Sequence, residues 1–482
     1  MKKQAFNPYL PGYEYIPDGE PHVFEDRVYV YGSHDRFNGP VFCMNDYVCW
    51  SAPVDDLGNW KFEGVIYRKN QDPRNRMGLR LLFAPDVAQG ADGRFYLYYA
   101  FDFMGIMGVA VSEHPAGPYE FYGHVHYADG IVWGRKKGDS FPFDPGVLVD
   151  DDGRVYLYSG FYTPVPAVVT GGRRLQFNGG YVLELESDMV TIRTPEKLLF
   201  PKQGEGSFKN HEFFEASSIR KYEGKYYFVY SSRHNHELCY AVSDYPDREF
   251  VFGGTLISNG DIFLDDVKDE IHARSFTGNN HGGMLYLNGQ YYIFYHRHTH
   301  RNSYARQTCA ERLNRRPDGS FAQSEMTSCG LNDGPLTGAG RYEARIACNL
   351  WGKAGTGRYD IKNPRKVYAH YPYITQDKKD GDETAIQYIA NMEDGAVAGF
   401  KYFDMAEADR IGVEIRGEAK GWMLVSETGD FSTVCAKIPL KPAGRKWKTY
   451  SAGLNLKKGK RALYFKYCGK GKIDFAAFCL FN

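Results

Sequence analysis

No run of apolar residues in the sequence approaches a membrane span, and the opening MKKQAFNPYLPGYEY has no apolar core of a secretory leader. Formal net charge is +0, so no long-range field favours nucleic acid or an anionic membrane surface. No C-x-x-C pair occurs among the nine cysteines, and their odd number argues for free thiols over a disulfide framework. These absences lead us to expect a cytoplasmic protein that binds neither nucleic acid nor membrane. They leave its oligomeric state open.

What the chain has in quantity is aromatic. Tyrosine occurs 38 times, which suits a β-rich fold and stacking on sugar rings alike, so it does not separate the two. The aromatics are ordered. EDRVYVYGS from Glu25, DGRFYLYYA from Asp92, DGRVYLYSG from Asp152, EGKYYFVYS from Glu223 and NGQYYIFYH from Asn288 share one grammar, a two-residue turn followed by an aromatic, β-branched strand. Their starts are spaced by 60 to 71 residues, room for about four strands per unit. That arithmetic predicts an all-β, five-bladed propeller.

Six to eight residues before each copy stand Asp18, Asp86, Asp144, Glu215 and His281. Polar groups at one place in every repeat fall on the innermost strands and converge on a central channel, where carboxylates suggest acid–base chemistry. Each has a structural alternative. Asp18 lies in a Pro-Asp-Gly turn with Glu20 as a rival two residues on, and Asp86 follows Pro85, where an Asp often bonds backbone amides. Glu215 shares a strand face with Phe213 while Glu212 points the other way, and desolvation among its aromatic neighbours would raise its pKa. Its alternative is an ion pair with Arg220 or Arg233.

Other residues admit several roles. His34 and Asp35 face the active-site end or cap a turn. Trp50 offers a stacking platform or fills the core. Asp150, Asp151 and Asp152 read as a solvated turn more simply than as a calcium loop. His296, His298 and His300 alternate on one strand face, expected to be exposed rather than a zinc site. His281, the one imidazole among four carboxylates, suggests a shared central ion or water cluster. Arg306 is a candidate clamp for a hydroxyl or carboxylate.

The motifs NPYLP before Asp18, FAPD at Asp86, FDPGVLVDDDG at Asp144, FFEAS at Glu215, NNHGG at His281 and Arg306-Gln307-Thr308 occur in the order found in glycoside hydrolase family 43, which the chain resembles from Asn7 to about residue 325. The resemblance implies a five-bladed propeller and an inverting mechanism. Asp18 would be general base, Asp144 pKa modulator and orienter, and Glu215 general acid, with Arg306 holding the terminal sugar. Trp50, Phe83 and Asp86 are the further candidates for lining the substrate site. It also implies that a calcium or sodium ion could sit in the channel near His281, with no cofactor required. One departure stands at Asp18-Gly19-Glu20-Pro21, where the family usually has Asp-Pro-Ser.

The aromatic repeat ends near residue 330. A Gly-rich connection (331–341) leads into short alternating strands, such as RIGVEIRG at 410–417, that predict a β-sandwich over 342–482. Its ending, KGKIDFAAFCLF, resembles family 6 carbohydrate-binding modules. Trp422, Trp447 and Tyr450 could stack on sugar or pack against the propeller, and a cytoplasmic setting favours packing. Together these readings predict an inverting exo-glycosidase releasing α-L-arabinofuranose or β-D-xylose from short oligosaccharides. The alternatives are a β-galactofuranosidase and a sugar-binding protein whose base is disabled.

Overall fold

The structure, a computed structural model, describes residues 3–203, 206–234, 236–359, 370–406 and 408–482. Three short 3₁₀ turns (Pro73–Asn75, Gly206–Phe208 and Ala344–Ile346) are the only helical pieces among the described residues. None of these is long or apolar enough to cross a membrane. Everything else that is regular is strand.

Five antiparallel sheets follow one another along the chain. The first is Glu20–Phe24, Arg27–Tyr31, Tyr47–Pro53 and Lys61–Tyr67; the second is Asp86–Gln89, Phe95–Ala100, Met107–Ser112 and Glu120–His124. The third is Gly146–Val149, Val155–Gly160, Gly179–Leu185 and Thr191–Pro201, with His126–Tyr127 joined in parallel at its outer edge. The fourth is Phe213–Tyr222, Lys225–Ser232, Glu237–Ser243 and Val251–Ser258. The fifth has three strands, Met284–Leu287, Gln290–His298 and Arg306–Leu313.

Every copy of the aromatic motif is the second strand of its sheet. The reason for its unbroken apolar run is packing. Phe95–Ala100 and Val155–Gly160 are buried at every position because other sheets cover both faces, so the side chains do not alternate in polarity. One core lies between each successive pair of sheets, and another (Val28, Val30, Leu285, Phe294) lies between the fifth and the first. The leading strands touch in the same cyclic order, and Gly19 bridges Gly282.

The expected two-residue turns hold in three sheets. Glu223-Gly224 and Asn288-Gly289 have φ values of 51°, 76°, 51° and 81°, both residues left-handed, and Glu25-Asp26 closes Phe24 on Arg27. The second and third sheets turn more widely. There the Gly90 and Asp150 N–H groups donate to the carbonyls of Arg94 and Arg154 across a longer loop, and the Asp92 and Asp152 carboxylates cap the amides of Arg94 and Arg154.

After residue 335 two six-stranded sheets face each other. One contains Leu336–Thr337, Asn349–Trp351, Val397–Met405, Lys420–Ser426, Val434–Leu440 and Gly459–Lys470; the other contains Gly340–Glu343, Tyr373–Gln376, Gln387–Met392, Arg410–Gly417, Gly444–Gly453 and Ile473–Phe481. Phe400, Phe465, Phe475 and Phe478 interlock between them.

Trp422, Trp447 and Tyr450 do not pack against the first five sheets. Trp447 lies against Tyr388 and under Arg416, Trp422 is exposed beneath Lys437, and the Tyr450 hydroxyl donates to the Lys441 carbonyl. Buried polar groups make that junction instead. Tyr15 donates to Gln376 at 2.6 Å, Arg297 donates to the carbonyls of Ala347 and Arg345, and the Lys401 ammonium lies 2.9 Å from Asp261 and 3.1 Å from Glu325.

Lys401 is buried, so removing it strands the Asp261 carboxylate without its charge partner. Lys401→Ala should therefore lower unfolding stability by about 3 kcal/mol, read as an earlier urea midpoint. An unchanged midpoint would show that this pair does not hold the junction.

Candidate active site

The five positions picked from the repeat all fall at the same end of the leading strands. Asp18 precedes the first sheet by two residues, Asp144 the third by two and His281 the fifth by three, whereas Asp86 and Glu215 lie within their strands. Asp18, Asp144 and Ala216 have φ of 59°, 46° and 71°. Non-glycine residues rarely adopt this left-handed conformation, and they persist in it where surrounding structure forces it. At Glu215 the pairing with Lys225–Ser232 slips around Ala216, a bulge that re-aims the carboxyl.

Asp18 is buried, and burial alone would raise its pKa. The Arg306 guanidinium, 2.9 Å from Oδ1, and His296 Nδ1, at 3.2 Å, outweigh this and hold the carboxyl well below the usual carboxylate range. Arg306 is itself fixed by Asp35, which accepts from Nε at 2.9 Å, from Nη2 at 3.1 Å and from the backbone N–H at 3.1 Å. Asp18 is thus ionised under any ordinary condition.

Glu215 is pushed the other way. Desolvation and then the negative charge of Asp144 raise its pKa well above the usual range. Asp144 is raised to about 7, chiefly by burial, while the nearby His281 opposes the rise and Asp18 adds to it; its Oδ2 also accepts the Ala216 N–H at 3.1 Å. His281 lies 3.6 Å from both Asp144 and Glu20. Burial disfavours its charge, but Glu20, Asp144 and Asp18 together lift its pKa to about 9, so it stays an imidazolium at neutral pH. The glycines after it allow the close approach: a Cβ at Gly283 would stand 2.4 Å from Glu20 Oε2.

Several sequence readings change. Neither arginine offered as an ion-pair partner reaches Glu215: Arg233 pairs with Glu212 and Arg220 with Glu20. Glu20 is fully buried and accepts from Ser218 and Arg220, which removes it as a rival base. Asp86 has no exposed surface, and its oxygens take the N–H groups of Val87 and Val147 and the His22 ring, so it ties three strands together rather than meeting sugar. Trp50 is core, with Nε1 donating to Glu14 and its ring against Phe62. Phe83 is partly buried 5.3 Å from Phe143, the neighbour of Asp144.

The histidine face is not exposed. His296 and His298 are buried and both reach the Asn279 carbonyl, and His296 also touches Asp18; only His300 is partly open, against Thr375. Alternation holds for His296 and His298, but the strand ends at His298 and His300 lies beyond it, left-handed; the sheets that cover this strand come from elsewhere in the chain. Asp35 proves to be an anchor of Arg306, whereas His34 bonds the Asp46 carbonyl. The Asp150–Asp152 turn has its charges spent on Lys221, Tyr226 and Arg154.

Two groups gather metal-ligand atoms among the described residues. At Glu20, His22 and Asp86 a guanidinium already stands where a cation would, since Arg220 Nη2 is 2.7 Å from Glu20 and 3.2 Å from His22. In His211, Glu237 and Cys239, the Glu237 oxygens already accept from Ser232 and Thr255.

A carboxylate held ionised and a carboxyl held protonated, in one buried cluster, is the equipment of a hydrolase that cleaves glycosidic bonds by acid–base catalysis. Residues 12–321 match the model of the glycosyl hydrolases family 43, and the chain belongs to that family. It is a glycoside hydrolase. A xylosidase/arabinosidase of Thermoclostridium stercorarium is 48% identical over 484 residues, covering 100% of this chain and 99% of the relative. An arabinoxylan arabinofuranohydrolase of Paenibacillus polymyxa is 26% identical over 503 residues, 95% of this chain and 70% of the relative. A solved family 43 arabinoxylan arabinofuranohydrolase from Bacillus subtilis, in complex with cellotetraose, is 20% identical with a TM-score of 0.52, over 99% of this chain and 97% of that one. Its likeness of fold extends through the C-terminal sheets.

Asp18→Asn should lower kcat about 10³-fold in a protein that still folds, although less stably because Arg306 loses a charge partner. A drop of less than tenfold would remove Asp18 from the chemistry. Because Glu215 must be protonated to act and Asp144 helps keep it so, activity should be lost as pH rises, and Asp144→Asn should bring that loss to lower pH. An alkaline limb of kcat/KM that stays in place would contradict the coupling.

Proposed function

We propose that this enzyme is an inverting exo-glycosidase that releases a terminal α-L-arabinofuranosyl or β-D-xylosyl unit from short oligosaccharides. The observation that carries the reading is the opposite push on two carboxyls of one cluster. Asp18, ionised by Arg306, is general base and activates water; Glu215, protonated beside Asp144, is general acid and gives its proton to the leaving oxygen. Asp144 sets the acid's affinity for its proton and, through the Ala216 N–H, the orientation of the Glu215 bulge. The pentose follows from likeness to the xylosidase/arabinosidase that matches the whole chain.

The fold enters this reading as a five-bladed propeller over residues 1–330 and a two-sheet, carbohydrate-binding-module-like sandwich running to 482; the connection expected over 331–341 is shorter, because Leu336–Thr337 and Gly340–Glu343 already belong to the two sheets. The cyclic contact of five sheets and the separate core of the last twelve strands support it. Nine free thiols support a cytoplasmic site of action, in which the substrate is short because polymers do not cross the membrane.

A calcium or sodium ion in the channel would be held by His281, with Glu20. Glu20 Oε1 and His281 Nε2 are buried and face each other at 3.6 Å, just beyond hydrogen-bond reach, which leaves room for a shared group between them. An ion would compete with the His281 proton and supply in its place the positive charge beside Asp144.

The test is a panel of nitrophenyl glycosides followed by proton NMR of the first-formed sugar. Arabinofuranoside and xyloside should be cleaved with inverted anomeric configuration, and Glu215→Gln should be inactive on substrates with poor leaving groups. Retention of configuration, or cleavage inside a longer chain, would overturn the proposal.

A further inference from the structure

The C-terminal region does more than pack. Its segment from Cys348 to Tyr359 runs along residues 274–277 of the catalytic part. Leu350 N–H donates to the Arg274 carbonyl at 2.6 Å, Thr277 N–H to that of Gly357 at 3.2 Å, and Tyr359 N–H to that of Thr277 at 2.8 Å. Thr277 is buried and lies four residues before His281, so these bonds deliver Tyr359 to the side of the acid–base cluster.

There Tyr359 meets two other rings. Its centroid is 6.0 Å from that of Phe42, and Tyr304 packs edge-on against Phe42 at 4.6 Å. Phe42 in turn carries the Arg306 guanidinium on its face at 4.6 Å, the same guanidinium that grips Asp18. Phe42, Tyr304 and Tyr359 come from three separate stretches of chain, and all three are only partly buried. They are therefore a wall with an open face, unlike the core aromatics beneath them.

We propose that Tyr359 completes the sugar pocket from the C-terminal region and restricts it to pentoses by closing off the space that an exocyclic hydroxymethyl group would need. This rests on the pentose reading of the site given above. Three backbone hydrogen bonds along the segment, one of them Tyr359's own, make the wall rigid, so it does not retreat before a larger glycone. Burial, Tyr304 and then Glu215 push the Tyr359 hydroxyl up to about 12, so it stays neutral at any working pH. In this view the C-terminal region is a structural part of the active site.

The experiment compares glycosides that differ by one hydroxymethyl group: arabinofuranoside with galactofuranoside, and xyloside with glucoside. In Tyr359→Ala the preference for the pentose in kcat/KM should fall about tenfold or more, the discrimination expected from one small group in a fitted pocket, while Tyr359→Phe should keep it. A merely structural role would lower both activities together and leave their ratio alone. An unmoved ratio in a Tyr359→Ala protein with the wild-type melting temperature would overturn the proposal. If Tyr359→Ala does not fold, Phe42→Leu opens the same wall and is read the same way. A wild type that cleaves no pentoside would defeat the underlying reading instead, so the two failures are distinguishable.

Discussion

The site depends on one buried guanidinium. Arg306 has almost no exposure and lies between Asp18 and Asp35, two carboxylates that could not both be buried without it. Its fork geometry lets it serve both at once, Nη1 to one and Nε with Nη2 to the other, which an ammonium could not reproduce. Asp35 takes the orientation of the guanidinium upon itself and leaves Asp18 a carboxylate with a fixed direction. The base is therefore defined by a residue 288 positions away in the chain.

Beyond that pair, the charge changes sign of effect over a short range. Asp18, next to Arg306, is held ionised; Asp144 and Glu215, which meet Arg306 only as a lesser influence, are held towards their neutral forms by burial, with Asp18 adding to the rise of Asp144 and Asp144 to that of Glu215. The His281 imidazolium stands on the far side, against Asp144 and Glu20, and limits how far the rise can go. The backbone bears part of the cost. Asp18, Asp144 and Ala216 are all left-handed, a conformation that costs about 1 kcal/mol or more and is held only by the strands on either side.

Much of this was legible in advance where the signal was local and repeated. The aromatic motif marked the second strand of each sheet because a strand covered on both faces must be apolar throughout. Counting back from it found Asp18, Asp144, Glu215 and His281. The same counting also found Asp86, whose residue type is right but whose oxygens are consumed by Val87, Val147 and His22. Of the two roles open to Trp50 the structure gives it the core, because exposure of an indole depends on what the next sheet lays over it. His296 was misjudged in the opposite direction: its strand looked like a surface because its partners, Asn279 and Asp18, belong to other turns of the chain.

By itself the sequence determined the class of fold, the number of aromatic repeats and the position of the acidic residues within them, because strand periodicity and turn chemistry act over a few residues. Only the tertiary structure decided which of those acids is ionised, which is protonated and which is mere scaffold. A carboxyl's protonation follows from burial and from charges within a few ångströms, and in this protein those charges arrive from strands hundreds of residues apart.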